Sequence, residues 1–346
     1  MRSLVTSLLL CAAAILACQW PGALQAAEQR RIAENGQKAR SANLVHKKQR
    51  ADEQEFAKAE DVLKFINDYR ANPQPDKLPQ IVRAMGNLGL FRDLDMAGVH
   101  VGFIAGVLGS NPDKTERLIT EMFPMPPEDQ VVLIKAIAFS GLANWKSVME
   151  RFIERMPARN GLIRKYLYGD GKVLADLPLE GSSFVLDAHW GYYFASGNPE
   201  PVRRIVSTLA WAKDKNNLEK LTIASMAKWT LATNASRDKD LMDILKAEVN
   251  RQPKEIRVEV SEVIDAAETY ETQRLRKNAL ASIEELKAKG PQSGRDMAWW
   301  GTAGQTALAL GCIAAGATGH VEVGLPCVLG GAASTAALKY LTPTTP

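Results

Sequence analysis

The feature that most constrains the fold of this chain is a helical periodicity of apolar residues between residues 51 and 289. Apolar side chains recur at steps of three and four in Phe56, Ala59, Leu63, Ile66 and Tyr69, in Val131, Ile134, Ala138 and Leu142, and in Leu218, Leu221, Ala224, Ala227 and Leu231. Such steps place the apolar side chains on one face of an α-helix. No convincing run of alternating apolar and polar residues predicts a strand. We therefore expect residues 51–289 to form an all-α domain.

The turns between these helices indicate a repeating layout. Residues 109–113 and 197–200 each place Asn before Pro and an acidic residue, which is typical of one helix ending and the next beginning. Weaker turns at Asn144 and Asn234 continue the series, and an irregular insertion at 168–183 interrupts it. The spacing resembles a right-handed α-solenoid of the tetratricopeptide or HEAT-like kind in layout only, since no unit carries the tetratricopeptide consensus. The resemblance implies a stack of helical hairpins.

The N-terminal residues have the organisation of a secretory signal peptide. Arg2 precedes an apolar run from Leu4 to Ala17, and small residues follow up to Ala26. We expect residues 1–26 to direct export and to be cleaved after Ala26. Two alternatives stay open. The sequence ending at Cys18 resembles a bacterial lipobox, in which Cys18 would be lipidated, and an uncleaved apolar run would act as an anchor.

Charge is distributed unevenly along the chain. Between Glu28 and Arg50 there are seven Lys and Arg residues against two acidic residues, and apolar anchors are few. We interpret residues 27–50 as a basic, polar lead-in that is solvated and partly helical; the alternative is an arm that binds a surface. The net charge of the whole chain is only +4, which argues against a dedicated nucleic-acid-binding protein.

A Gly/Ala-rich helical hairpin is predicted at residues 298–341, after a linker at 290–297 and before a tail at 342–346. No charged residue occurs from Met297 to Val321 or from Val323 to Leu338. The many glycines allow the close helix contact that membrane helix pairs use. The preferred interpretation is a membrane-associated hairpin; the alternatives are a buried hairpin of a soluble fold and a self-association device.

The ends of this hairpin give evidence for and against a membrane. Trp299, Trp300, Lys339 and Tyr340 would form an interfacial belt on one side. The second arm has sixteen uncharged residues, however, which span roughly 24 Å, less than the ~30 Å hydrocarbon core. Basic residues precede the first arm and none lies in the turn, contrary to the positive-inside rule for an exported body.

Cysteine usage agrees with export. After cleavage at Ala26 only Cys312 and Cys327 are left, at matching depths of the two predicted arms. An oxidising compartment would permit a disulfide between them; the alternative is two buried free thiols.

No catalytic, cofactor-binding or metal-binding signature is present. The four histidines lack the HExxH spacing, and Asp187 and His189 are two residues apart, so a helix points them in different directions. Gly169-Asp170-Gly171 lacks the Lys and Ser/Thr of a phosphate loop, and no GxSxG occurs. We therefore assign no catalytic, cofactor or metal residues.

Aromatic residues suggest one interaction groove. His189, Tyr192, Tyr193 and Trp211 would line it, and the alternative is that these residues belong to the helix-packing core.

These features together predict an exported protein of the cell envelope, or a secreted one, that acts as a membrane-associated scaffold or protein-interaction module. Its expected partners are proteins, the membrane through the 298–341 hairpin, and a second copy of the chain; no nucleic acid is expected. The first alternative is a membrane-inserting effector or pore-forming protein. The second is an envelope enzyme with a site near His189 and the insertion at 168–183.

Overall fold

The computed structural model describes residues 55–180, 182–214, 216–269 and 281. The chain divides into two compact units, Met1–Glu55 and Phe56–Pro346, and every described residue except Glu55 belongs to the second. Several predicted features lie outside the described residues. They are the signal peptide 1–26, the lead-in 27–50, the linker 290–297, the hairpin 298–341 and the tail 342–346, with Cys18, Trp299, Trp300, Cys312, Cys327, Lys339 and Tyr340.

Twelve α-helices make up most of the described residues. They are α1 (Ala59–Asp68), α2 (Leu78–Asn87), α3 (Gly98–Ser110), α4 (Thr115–Met122), α5 (Gln130–Phe139), α6 (Trp145–Phe152), α7 (Asn160–Tyr168), α8 (Ser183–Ser196), α9 (Pro199–Ser207), α10 (Leu218–Ala235), α11 (Lys239–Val249) and α12 (Lys254–Glu268). Short 3₁₀ helices occur at Pro75–Lys77, Ile153–Arg155, Pro157–Arg159, Leu174–Asp176 and Thr208–Trp211. Because the described ranges contain no strand, the predicted all-α class is confirmed for them.

Apolar helices alternate with amphipathic ones. Helices α3, α5 and α8 are buried along nearly their whole length, and each contains at most one charged residue. Helices α4, α6 and α9 follow them in the chain and bury one side only. A helix that is apolar all round needs cover on every side, and the amphipathic helices contribute to that cover. Within the described part of the chain, no helix has both the length and the apolar content needed to span a membrane.

The most extensive contact between helices joins α3 to α8. Three glycines of α3, beginning at Gly98, recur at four-residue steps and share one face. A Cβ atom built on Gly102 would lie 1.9 Å from the carbonyl oxygen of Ala188, and one built on Gly191 would lie 2.0 Å from that of Val99. Side chains at these positions would collide with backbone. The glycines therefore let the two backbones touch, and this contact positions α8.

The packing order of the central helices differs from their order in the chain. Helix α3 packs against both α5 and α8, and α8 also contacts α10. The contact between α3 and α8 therefore joins two helices that are separated in the chain by α4, α5, α6 and α7. Each repeat of a solenoid contacts its neighbours in the chain. The predicted solenoid layout is therefore not confirmed.

The two predicted Asn-Pro turns form different structures. Asn198 is the N-cap of α9, where its Oδ1 accepts a hydrogen bond from the backbone N–H of Glu200 at 2.9 Å. Gly197 before it has a φ of 67°, in the left-handed region that ends many helices. Asn111 instead lies at the end of α3, and its Nδ2 donates to the carbonyl of Val107 at 2.8 Å. Of these two turns, only the one at Asn198 joins the end of one helix directly to the N-cap of the next.

Candidate functional site

A cavity of about 460 Å³ lies where the C-terminal end of α5 meets α8 and α9. Its apolar wall includes Phe139 and Leu142 at the end of α5, Trp145 at the start of α6, and Leu174 in the segment between α7 and α8. Its polar wall is formed by α8 and α9, and includes His189, Tyr192, Asn198, Glu200 and Arg204. We call this space the His189–Arg204 cavity.

The polar wall results from the tight turn between α8 and α9. Gly197 and Asn198 alone separate the two helices, which pack against each other. His189 lies eight residues before Gly197, and Arg204 lies seven residues after it. Residues equally far from the turn of a helical hairpin reach about the same depth. The hairpin therefore brings the imidazole and the guanidinium to one wall.

His189 is a buried polar side chain without a protein partner. It is 3% exposed, and neither ring nitrogen has a hydrogen-bond partner among the described residues. Burial, and secondarily the positive charge of Arg204, lowers the pKa of His189 to about 4. The ring is therefore neutral at neutral pH, with one N–H donor and one acceptor nitrogen. Both hydrogen-bonding capacities are unused by the protein.

Arg204 is the cation of this wall. Its Nη2 donates to the carbonyl of Leu177 at 3.1 Å, while its buried Nε has no acceptor in the described structure. The carboxylate of Glu200, which lines the same cavity, accepts a hydrogen bond from Arg203 three residues later on α9. No ion pair of Arg204 occurs within the described residues.

Tyr192 connects the cavity wall to the C-terminal end of α5 by a hydrogen bond. Its hydroxyl donates to the carbonyl of Ser140 at 2.9 Å, next to Gly141, whose φ is 73°. Burial raises the pKa of Tyr192, so the phenol stays protonated. The hydroxyl donor is used by this bond, and the oxygen keeps lone pairs that can accept a further bond.

The other two residues of the predicted groove lie elsewhere. Tyr193 is fully buried, and its hydroxyl donates to Asp238 Oδ2 at 3.0 Å and accepts from Arg70. Trp211 ends a 3₁₀ helix, and the Nζ atom of Lys220 is 5.4 Å from its ring centroid. The structure thus brings His189 and Tyr192 into one cavity and leaves Tyr193 and Trp211 outside it.

A second, larger cavity of about 750 Å³ lies beside the Arg70–Asp238 pair. Arg70 Nη2 is 2.6 Å from Asp238 Oδ2, and the Arg70 guanidinium lies 4.8 Å from the ring centroid of Tyr193. Five acidic and four basic side chains line this cavity: Glu60, Asp61, Asp68, Asp238 and Asp240, with Lys64, Arg70, Arg237 and Lys239. Since acids and bases nearly balance and the central pair is satisfied, this cavity offers no distinct chemistry.

Two further titratable groups are buried away from both cavities. Burial raises the pKa of Asp187 well above its usual value, and its Oδ1 has no hydrogen-bond partner among the described residues. A Cβ built on Gly98 would lie 2.6 Å from the Cβ of Asp187, so this carboxyl is packed against α3. Burial lowers the pKa of His100 to about 4. Neither residue lines the His189–Arg204 cavity.

Among the described residues, His189 lacks the partners that a catalytic histidine uses. A catalytic histidine needs a nucleophile or substrate on one nitrogen and an orienting group on the other. No carboxylate in the described structure orients His189, and no group of three or more His, Cys, Asp or Glu side chains in the described ranges could hold a metal ion. What the cavity provides is a neutral imidazole, a cation and an apolar wall.

Sequence reasoning missed Arg204, Trp145 and Leu174 as members of the site. The signal that leads to Arg204 is its distance from the Gly197 turn, which matches the distance of His189 on the other side. Leu174 lies in the insertion at 168–183, which the enzyme alternative had already linked to His189. No known protein family, curated protein or solved structure matches this chain.

Proposed function

We propose that this protein is an exported binding module of the cell envelope, whose helical body holds a peptide segment of a partner protein in the His189–Arg204 cavity. In this proposal the pairs α3–α4, α5–α6, α8–α9 and α10–α11 act as stacked helical hairpins, and the 298–341 hairpin associates the chain with a membrane.

The observation that carries the proposal is that two polar side chains of the cavity wall, His189 and Arg204, keep buried nitrogens that no described residue pairs. A buried polar group left without a hydrogen bond costs about 1 to 3 kcal/mol, and folded proteins pair the large majority of such groups. His189 and Arg204 both keep buried nitrogens without protein acceptors. These nitrogens are themselves buried, so a ligand in the cavity would reach them only after a small rotation of the side chains. A ligand that then supplied hydrogen-bond partners would remove this cost.

The residue types of the cavity favour a protein partner. Trp, Tyr and Arg are the side chains that contribute most to protein–protein interfaces, as large anchors within desolvated pockets. The cavity combines Trp145, Tyr192 and Arg204. A cavity of about 460 Å³ accommodates one or two anchor residues of a peptide rather than a whole folded surface.

The test blocks the cavity from its exposed rim. Ala175 lines the cavity, is exposed and is the middle residue of the 3₁₀ helix Leu174–Asp176, so Ala175→Trp fills the opening without disturbing the core. Ala158→Trp is a matched control, because Ala158 is exposed and central in the 3₁₀ helix Pro157–Arg159, outside the cavity. The purified full-length chain is screened against a bead library of random hexapeptides, and dissociation constants of the selected peptides are measured by fluorescence anisotropy.

We expect selected peptides to bind the native chain and the Ala158→Trp variant equally, and to lose at least about tenfold in affinity for Ala175→Trp, the equivalent of 1.4 kcal/mol. Peptides that bind Ala175→Trp as tightly as the native chain would exclude this cavity as the docking site. A library that yields no binder would refute the peptide-binding function itself.

The membrane part of the proposal needs a separate experiment. Cells expressing the full chain are compared with cells expressing a chain truncated after Ser293, and their membranes are extracted with carbonate and then with detergent. We expect only the full chain to resist carbonate. Equal extraction of both chains would remove the membrane hairpin from the proposal.

An envelope enzyme is a second candidate; its support is that His189 and Leu174 of the 168–183 insertion line the same cavity. The His189→Ala variant would have to lose a measured activity while its unfolding temperature stays unchanged. His189 has no orienting partner among the described residues, so the binding role is the better supported of the two.

A further inference from the structure

We infer that the His189–Arg204 cavity recognises the C-terminal residue of its partner, with the free carboxylate at Arg204 and an apolar last side chain against Trp145. This inference rests on the proposed function and specifies which part of a peptide the cavity binds.

The charge of the wall selects a single anion. Among the described residues, Arg204 is the only cationic side chain that lines the cavity, since the imidazole of His189 is neutral. Glu200 also lines it, but its carboxylate pairs with Arg203. The one cation complements one carboxylate, and a ligand group with two negative charges would leave one of them unpaired.

The donors of the wall fit a carboxylate. Arg204 uses Nη2 for the carbonyl of Leu177, and no hydrogen bond of Nε or Nη1 occurs in the described structure. A planar guanidinium with free donors matches the two oxygens of a carboxylate, and such charge-assisted bonds are roughly twice as strong as neutral ones. The N–H of His189 provides a neutral donor on the same wall.

The apolar wall distinguishes a chain end from an acidic side chain. Leu142, Trp145 and Leu174 line the same cavity as Arg204. An Asp or Glu residue carries its carboxylate on its only side chain and has no apolar group to place against this wall. A C-terminal residue carries both its carboxylate and its side chain on one Cα atom. Capture of a terminal carboxylate is an established mode of peptide recognition.

The experiment compares hexapeptides that end in Leu, Phe or Trp and that carry either a free acid or an amide at the C-terminus. Each pair is titrated by fluorescence anisotropy into the purified full-length chain. We expect amidation to weaken binding about 10- to 100-fold, because it removes a charge-assisted hydrogen bond. Arg204→Gln should weaken the acid peptides by the same factor and leave the amide peptides unchanged.

Two variants keep this result interpretable. Arg204→Lys retains the charge without the planar fork and should restore part of the affinity for the acid peptides. Arg151→Gln removes an exposed arginine that pairs with Glu116 outside the cavity, and should change neither set of affinities. Thermal unfolding of each variant tests whether it is folded.

Each contrary outcome has a distinct meaning. Acid and amide peptides that bind equally, and that Ala175→Trp excludes equally, would overturn the carboxylate inference and leave the peptide-binding function in place. N-acetyl-phenylalanine binding as tightly as the best acid peptide would overturn the assignment to a chain end, in favour of a free small carboxylate. Binding of neither peptide set would refute the proposed function together with this inference.

Discussion

Helix α8 has two sides that differ in how closely other residues pack against them and in how many of their polar groups are hydrogen-bonded. What we call its tight side is its fully packed surface, which has two parts: Ala188 and Gly191 touch the backbone of α3, and Tyr193, about 200° around the helix from Gly191, is hydrogen-bonded to both Arg70 and Asp238. On its open side, His189 and Tyr192 line a cavity. Adjacent positions of one helix thus have opposite environments.

The difference indicates which side maintains the fold and which side we assign to binding in the proposed function. The tight side leaves no space for a single added carbon, and the Tyr193 hydroxyl is paired. The open side leaves about 460 Å³ and the unpaired nitrogens of His189 and Arg204. Substitutions on the tight side should therefore affect the free energy of unfolding, and substitutions on the open side should chiefly affect binding.

The largest effect is expected from Gly102→Ala on the tight side. The new Cβ would lie 1.9 Å from the carbonyl oxygen of Ala188, which is backbone and cannot rotate away. The helices have to separate, and overpacking of this kind costs about 3 kcal/mol of unfolding free energy. Urea denaturation of the full-length chain, followed by circular dichroism, measures this loss.

Gly161→Ala is the matched control for that substitution. Gly161 lies in α7, and a Cβ built on it meets nothing within 4 Å. Alanine in an open helical position stabilises by about 0.5 to 1 kcal/mol, so the two variants should shift in opposite directions. Equal effects of both substitutions would contradict the close contact between α3 and α8.

A smaller loss is expected when the paired network of the tight side is broken. Asp238 accepts from Arg70 Nη2 at 2.6 Å, from the Tyr193 hydroxyl at 3.0 Å and, as N-cap of α11, from the backbone N–H of Leu241 at 3.1 Å. Asp238→Ala should lower the unfolding free energy by about 2 to 3 kcal/mol, since it removes the cap and leaves polar groups without an acceptor.

Arg204→Ala provides the comparison on the open side. It removes one hydrogen bond to the carbonyl of Leu177 together with a buried Nε that has no acceptor. These contributions oppose each other, so the unfolding free energy should change by less than about 1 kcal/mol. If Arg204→Ala destabilised the chain as much as Asp238→Ala, the two sides of α8 would not differ as described.

The sequence predicted the class of the fold because local spacing determines it. The recurrence of Ala59, Leu63 and Ile66 on one helical face depends on few residues, and the structure has α1 there. The order in which helices pack depends on distant contacts instead. The glycines that join α3 to α8 recur at regular steps, but nothing in a single sequence states which helix they face. The solenoid interpretation assumed that helices pack mainly against their chain neighbours, and it is not confirmed, because the most extensive contact of α3 is with α8.

The site was predictable only where it depends on one helix or one turn. His189 and Tyr192 were selected because they lie together on an aromatic helix. Tyr193, which was selected for the same reason, is four residues after His189 and lies near it on the helix surface, but its hydroxyl is taken by Arg70 and Asp238. Arg204 could have been predicted from its distance to the turn of the α8–α9 hairpin. Trp145 could not, because only the tertiary fold brings the start of α6 to the cavity.

A further comparison separates His189 from His100 by their response to acid. The pKa of each is lowered to about 4, below the ordinary value of 6.5. Between these values the unfolded chain binds a proton that the folded chain does not, so stability falls as the pH drops from 7 to 5, by about 1 to 2 kcal/mol for each histidine. The His189→Gln variant should lose the part of this acid destabilisation that His189 contributes. Asp187, with its raised pKa, acts in the opposite direction, so the variant is compared with the native chain at both pH values.

Occupation of the cavity should change this response at one histidine only. A peptide carboxylate held at Arg204 lies close to His189, favours the imidazolium and raises its pKa, which reduces the loss of stability in acid. His100 is packed on α3 beside Phe91, and its share should persist in the His189→Gln variant, with or without peptide. Urea denaturation at pH 7 and pH 5, with and without a saturating acid-ended peptide, measures both shares. A peptide that protected the His189→Gln variant from acid as well as it protects the native chain would show that the carboxylate is bound away from His189, and the open side of α8 would lose its assignment as the binding side.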